Sequence, residues 1–60
     1  MNHLEYYVVY YLDRGDNNPP ARVSTINYLT KKEAQNKVNS LKRQEPNLIN
    51  EPEIYEYRYW

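Results

Sequence analysis

The chain contains no cysteine and no phenylalanine, and it has only one glycine among its 60 residues. Without cysteine there can be no disulfide to stabilise so short a chain, and no thiolate metal site. With a single glycine there can be no glycine-rich phosphate-binding loop. Because small secreted domains are usually rich in disulfides, the missing cysteine favours a reducing compartment, and we expect a cytoplasmic protein.

An excess of charge of one sign and long apolar runs are also missing. The formal net charge is zero, which argues against a protein held on nucleic acid or on a membrane by bulk electrostatics. No stretch approaches the roughly 18 apolar residues that predict a membrane span, and the first residues lack the basic start and apolar run of a signal peptide. We therefore expect one soluble domain, residues 1–60, with no membrane partner.

Side chains that could carry catalysis are few. The single histidine is His3, and Ser24 and Ser40 have no candidate base near them in sequence. One histidine does not make a metal site, because such sites need three or four ligands. Glu51 and Glu53 flank a proline in a polar segment, whereas a tuned acid–base pair needs a shielded cleft. The sequence therefore predicts a protein that is not an enzyme and that binds no metal or cofactor.

Three segments have the composition of β-strands. Residues 4–12 form two alternating rows that are both apolar at their centres, which is typical of a central strand. Residues 22–28 are rich in β-branched side chains but alternate weakly, which indicates an edge strand, with a bulge as one option. Residues 53–60 alternate tyrosines with an isoleucine, charged residues and a tryptophan. Between the first two strands, residues 13–20 hold the glycine and a Pro-Pro pair and are predicted to form a loop.

One helix is predicted over residues 31–44. Thr30 and Glu33 have the spacing of a capping box, in which the threonine hydroxyl accepts from the glutamate amide. Leu29 and Ala34 stand at the staple positions on either side of the cap. The helix should end before Pro46, because a proline disfavours helical geometry in the residue ahead of it. The predicted apolar stripe consists of Ala34, Val38 and Leu41.

The order strand, strand, helix, strand predicts the topology. A right-handed crossover makes strands 2 and 3 parallel, so strand 1 can lie between them and pair antiparallel with both. We therefore predict an α+β fold: a single small ββαβ domain with a three-stranded antiparallel sheet, order 2-1-3, and one helix packed on one face. Leu48 and Ile49, in the last connection, are candidates to fill the core.

One helix can cover only one face of such a sheet. Under the helix we expect Tyr6, Tyr10, Leu12 and Tyr57. On the opposite face we expect Tyr7, Val9, Tyr11 and Trp60, with Glu5, Glu56 and Arg58 among them. The reverse arrangement stays open, because both rows of the first strand are rich in tyrosine.

The chain has eight tyrosines, and tyrosine is typical of half-wetted surfaces because its ring is apolar and its hydroxyl seeks a partner. The uncovered face could bind a second copy of the chain, dock another protein, or stack single-stranded nucleic acid. Protein binding, through this face, an edge strand or both, is our leading hypothesis, because acidic residues flank the aromatic rows. The predicted contacts are Tyr7, Val9, Tyr11, Arg58 and Trp60.

Charge is uneven along the chain despite the zero total. Residues 31–43 carry five basic residues and one acidic residue, a balance of +4, whereas residues 44–60 carry four acidic and one basic residue, a balance of −3. A solvated helix surface explains the first segment, and a basic surface that steers the chain to an acidic partner is the alternative. The candidate electrostatic contacts, for a protein or for nucleic acid, are Lys31, Lys32 and Arg43.

The sequence contains no family signature. In its short length and its abundance of Tyr, Asn and Lys, it resembles the small proteins that phages and other mobile elements of AT-rich bacterial genomes encode. Many of those proteins bind and block a host enzyme or defence complex, so the resemblance implies an inhibitor or modulator of a host protein. It assigns a role to no individual residue.

Overall fold

The computed structural model describes residues 3–59. The elements in chain order are β1 (His3–Leu12), β2 (Ala21–Ser24), α1 (Lys31–Gln44) and β3 (Glu53–Tyr59). The strands form one antiparallel sheet in the order β2-β1-β3, and α1 packs on one face of it. The predicted α+β fold, its ββαβ element order and its strand order are confirmed.

Helix α1 begins at the predicted cap. Thr30 is extended, and its Oγ1 accepts a hydrogen bond from the Glu33 amide at 3.2 Å. All three residues of the predicted apolar stripe are buried. Leu29, expected to pack against Ala34 as a staple, is instead 65% exposed. The Thr30 cap therefore fixes the start of the helix, without an apolar staple contact between Leu29 and Ala34.

The core lies between α1 and one row of β1. Val8 is completely buried and clusters with the buried stripe of α1. Of the two residues expected to fill the core from the last connection, Leu48 packs against this cluster, whereas Ile49 is 49% exposed. Partly buried side chains complete the core: Tyr6, Tyr10, Tyr28, Leu48 and Ile54.

A bulge makes β2 shorter than predicted. Between its last regular pair with β1 and an isolated bridge from Tyr28 to Tyr6, three residues on the β2 side face two on the β1 side. Thr25 fills the gap, because its Oγ1 accepts from the Val8 amide at 2.9 Å and its own amide donates to the Val8 carbonyl at 2.9 Å. Since side chains alternate along a strand, the extra residue turns Tyr28 onto the face of Tyr6 and into the core.

The prediction of which β3 side chains face the helix is wrong. Ile54 pairs with Val8, and directly opposed residues of an antiparallel sheet share a face. Tyr57, expected under the helix, therefore lies on the uncovered face, and Glu56 and Arg58, expected there, lie on the helix side. The cause is Ile54, the single aliphatic residue of β3, which fills the core and so fixes the phase of its strand.

One helix covers only one face of the sheet, and both the radius of gyration and the accessible surface are larger than those of a compact domain of this size. The Cα radius of gyration is 13.1 Å, against about 10.4 Å for a compact domain of this length. The accessible surface is 4751 Å², against about 4,200 Å² for a typical folded chain of this mass. The fold thus leaves one broad face available for contact.

Candidate functional site

The candidate site is the sheet face turned away from α1, which we call the open face. The strand registers decide its membership, because residues alternate between faces along each strand and pair across strands on the same face. Val8 faces the helix, so the odd-numbered residues of β1 and everything paired with them belong to the open face. Its members are His3, Glu5, Tyr7, Val9, Tyr11, Arg22, Ser24, Glu53, Tyr55, Tyr57 and Tyr59.

Aromatic rings cover much of the open face and rest on one another. The rings of Tyr7 and Tyr55 are stacked, with centroids 5.5 Å apart and planes 19° apart. The rings of Tyr57 and Tyr59 are tilted against each other at 4.7 Å. The three β3 tyrosines are nevertheless 40–48% exposed. Contacts between neighbouring rings restrict their rotamers, so a partner would meet a surface that is already partly ordered.

One end of the open face is held by hydrogen bonds around Glu5. Its carboxylate accepts from the Tyr59 hydroxyl at 3.1 Å and lies 2.9 Å from Nε2 of His3. The Asn27 amide, from the bulge, donates to the Tyr59 hydroxyl at 3.3 Å. The hydrogen bond with His3, supported by those with Tyr59 and Asn27, lowers the pKa of Glu5. The carboxylate therefore stays ionised and ties β1, β3 and the bulge together.

The other end of the open face is a shallow depression of about 100 Å³. Val9, only 5% exposed, forms its floor. On its rim the Tyr55 hydroxyl donates to Glu53 at 2.7 Å, and this carboxylate raises the pKa of Tyr55. The lining residues are Val9, Tyr11, Arg22, Asn50, Glu51, Glu53 and Tyr55. The depression thus combines an apolar floor with a rim that can both donate and accept hydrogen bonds.

Three of the five predicted contact residues, Tyr7, Val9 and Tyr11, lie together on the open face. Arg58 does not join them, because it projects from the helix side of β3, and Trp60 lies outside the described residues. Tyr55 and Tyr59 were missing from the prediction. The signal that would have found them is the single aliphatic residue of the last strand, which identifies the row that faces the core.

The predicted electrostatic contacts are on the opposite side of the molecule. Lys31, Lys32 and Arg43 are exposed on α1, which packs on the other face of the sheet. A flat ligand on the tyrosines could not touch these cations as well. The open face itself carries two carboxylates, Glu5 and Glu53, against one guanidinium, Arg22, a balance of −1.

Comparisons with known proteins found no similar protein. No protein-family model matches the sequence, and neither a curated protein nor a solved structure matches the chain. Within residues 3–59, no three metal-ligating side chains are grouped closely enough to hold an ion. No helix in the same part of the chain has the length and hydropathy needed to cross a membrane.

Proposed function

We propose that this protein is a non-catalytic module that binds another protein through its open face. The observation that carries the proposal is a set of five partly exposed tyrosines, four of them packed in pairs, on a sheet face that nothing in the described chain covers. Tyrosine and arginine are among the residues enriched at binding hot spots, and Arg22 lies at the edge of this set. The tyrosines concerned are Tyr7, Tyr11, Tyr55, Tyr57 and Tyr59.

The size of the surface sets what it can do. The three β3 tyrosines, 40–48% exposed, offer roughly 250 Å² of accessible area. At about 25 cal/mol per Å² this is a gross gain of about 6 kcal/mol, from which the loss of rigid-body and side-chain freedom must be subtracted. Three rings alone would give only weak binding, so the partner should cover the whole face, including the depression above Val9.

The charges of the open face favour protein over nucleic acid. Platforms that stack single-stranded nucleic acid combine aromatic rings with basic residues that follow the phosphates. Here the net charge of the face is −1, because Glu5 and Glu53 outnumber Arg22, and the basic residues of α1 are on the other side of the sheet. Only the ring stacking supports the nucleic-acid alternative, so it stands second.

The biological setting that we propose is supported by composition alone. The chain is short, rich in tyrosine and asparagine, and free of cysteine. We extend the proposal to a cytoplasmic inhibitor or modulator of a host protein, of the kind that phages and mobile elements encode. The absence of cysteine supports the reducing compartment.

The test is a nuclease-treated pull-down with matched baits, read out by mass spectrometry. The test bait carries Tyr7→Ser and Tyr11→Ser, both on β1 within the open face. The control bait carries Leu29→Ser and Ile49→Ser, which remove exposed apolar side chains from connections instead. Circular dichroism must show that both baits are folded. Binding of one protein by wild type and control but not by the tyrosine variant supports the proposal, and equal binding by all three refutes it.

The nucleic-acid alternative is distinguished by salt. Fluorescence polarisation with labelled single-stranded oligonucleotides should show no binding, or binding that does not respond to the tyrosine substitutions. Affinity that falls steeply as salt rises, and that is lost in the tyrosine variant, would reverse the ranking because phosphate neutralisation releases counterions.

A further inference from the structure

The outer edge of β3 carries unpaired backbone groups. Tyr6 and Val8 direct their N–H and C=O groups towards the β2 side, where Tyr28 and Thr25 meet them. In an antiparallel ladder these directions alternate, so the odd-numbered residues of β1 bond to β3, and their odd-numbered partners bond back. The even-numbered residues of β3 therefore point their N–H and C=O groups outward, and these residues are Ile54, Glu56 and Arg58.

This edge lacks most of the usual protection against strand pairing, and the charged residues it carries at its outward-facing positions, Glu56 and Arg58, are of opposite sign. Natural edge strands are kept short or bulged, or they carry proline, lysine or other charged side chains. The β2 edge follows that rule, since it has four regular residues and then a bulge. By contrast β3 runs for seven regular residues with no proline or lysine. Within the described part of the chain, β3 is the last strand of the sheet and pairs only with β1.

We propose that β3 pairs antiparallel with β3 of a second copy of the chain, about a twofold axis at Tyr57. In this register Glu56 lies opposite Arg58 of the partner subunit, and by symmetry Arg58 lies opposite Glu56 of the partner subunit. Directly opposed residues of opposite charge stabilise a sheet, and both ion pairs form at the outward-facing backbone positions. The edge is thus complementary to itself, as a twofold interface requires.

Neighbouring registers lack this match. Moving the axis to Glu56 opposes two carboxylates, and moving it to Arg58 opposes two guanidinium groups. Moving it to Tyr55 sets Ile54 against a carboxylate and forms no ion pair. Within one chain Arg58 and Glu56 are 3.7 Å apart, with their side chains 65% and 51% exposed. Such an exposed pair contributes little to stability, so both side chains are free to exchange partners.

The dimer would be a continuous six-stranded sheet in which the open faces of both copies lie on the same side. The interface uses the edge of β3, the helix-side row of β3 and, at the axis, Tyr57 of the open face, and it leaves Tyr7, Tyr11 and the depression above Val9 uncovered. The inference therefore goes beyond the proposed function and does not depend on it, because the edge can pair whether or not the open face binds another protein.

Charge reversal at the interface provides the first test. Sedimentation equilibrium of the full chain up to about 0.5 mM should show a reversible dimer. Glu56→Arg or Arg58→Glu alone should weaken it about 10- to 30-fold, because two attractive pairs become repulsive. An equimolar mixture of the two variants should dimerise again, since each mixed pair sets opposite charges across the axis. Lys32→Glu, an equal charge reversal on the exposed side of α1, should leave the dimer unchanged.

Cysteine cross-linking provides the second test, because the chain has no cysteine of its own. At the axis, opposed Cα atoms of a non-hydrogen-bonded pair are about 4.5 Å apart, within the range of a disulfide. Tyr57→Cys should therefore form a covalent dimer in a glutathione buffer, and Tyr55→Cys should not. Circular dichroism confirms that each variant is folded.

The inference is overturned if the wild-type chain stays monomeric over the whole concentration range. It is also overturned if both charge-reversal variants dimerise as well as the wild type but the Tyr7→Ser/Tyr11→Ser variant does not. That result would mean that the dimer forms by packing two open faces together. Loss of heterologous binding in that variant with an intact dimer would separate the two proposals.

Discussion

Replacing Thr25 with valine should destabilise the domain, although the change only exchanges a hydroxyl for a methyl group. Val8 is completely buried, and its amide donates to Oγ1 of Thr25 at 2.9 Å. In Thr25→Val this donor loses its acceptor, and a buried unpaired amide costs about 1–3 kcal/mol. The hydroxyl also donates to the Ile26 carbonyl at 3.0 Å, but that group is exposed and water can replace the bond.

The expected loss is large for so small a domain. At about 0.05–0.15 kcal/mol per residue, a chain of 60 residues has a free energy of unfolding of about 3–9 kcal/mol. One kcal/mol lowers the melting temperature of a domain of this size by about 4–8 °C. Thr25→Val should therefore melt about 4–24 °C below the wild type.

Urea and thermal unfolding followed by circular dichroism measure this loss, at protein concentrations low enough to keep the chain monomeric. Thr25→Ser is the matched control, because it keeps the hydroxyl and should stay within about 0.5 kcal/mol of the wild type. The reasoning is refuted if the valine variant is as stable as the wild type, or if serine destabilises as much as valine. Either result would mean that the bulge does not depend on this hydroxyl.

Three further changes test the rest of the fold. The hydrogen bond with His3 lowers the pKa of Glu5 in the folded chain. The stability that the ionised carboxylate contributes is therefore fully present above pH 4.5, the ordinary pKa of the group, and is lost as the pH falls through the lowered pKa. In urea titrations, the free energy of unfolding of Glu5→Gln should therefore fall less than that of the wild type as the pH is lowered below 4.5. An equal fall in the two proteins would contradict this. Thr30→Ala should cost about 1 kcal/mol in the same assay by removing the helix cap, and Thr30→Ser should restore it. Leu41→Ala, at a side chain 7% exposed, should lower the free energy of unfolding by about 2–5 kcal/mol, whereas Leu29→Ala, at a side chain 65% exposed, should change it little.

The topology and the helix were predictable because their signals are local. The Thr30 cap fixes the start of α1 through a bond between residues three apart, and the proline at position 46 sets its end. The two apolar rows of β1 indicated the central strand, and strand order followed from the direction of the crossover. None of these inferences needed the register of one strand against another.

The parts that failed depend on register. In β3 neither row is apolar throughout, so alternation alone could not say whether Tyr57 or Arg58 faces the helix. The structure decides it through one pair, Ile54 against Val8. The position of Tyr28 likewise depends on the bulge, which exists because a threonine side chain accepts a bond that a backbone carbonyl would otherwise accept. Such contacts between distant residues leave no periodic trace in the sequence.

The hydroxyl groups explain why the open face is built from tyrosine and not phenylalanine. Tyr59 and Tyr55 donate to Glu5 and Glu53, so two of the five tyrosine hydroxyls of the open face are paired with carboxylates of the same face. A partner that covers the face must desolvate both carboxylates, and burying them without added donors would oppose binding. We therefore expect the matching surface to place arginine, lysine or backbone amide groups opposite Glu5 and Glu53, with apolar side chains between them over the depression at Val9. A partner with a purely apolar surface of the same shape should bind the open face more weakly than such a matching surface. Substituting Glu5 and Glu53 with glutamine should narrow the difference between the two affinities.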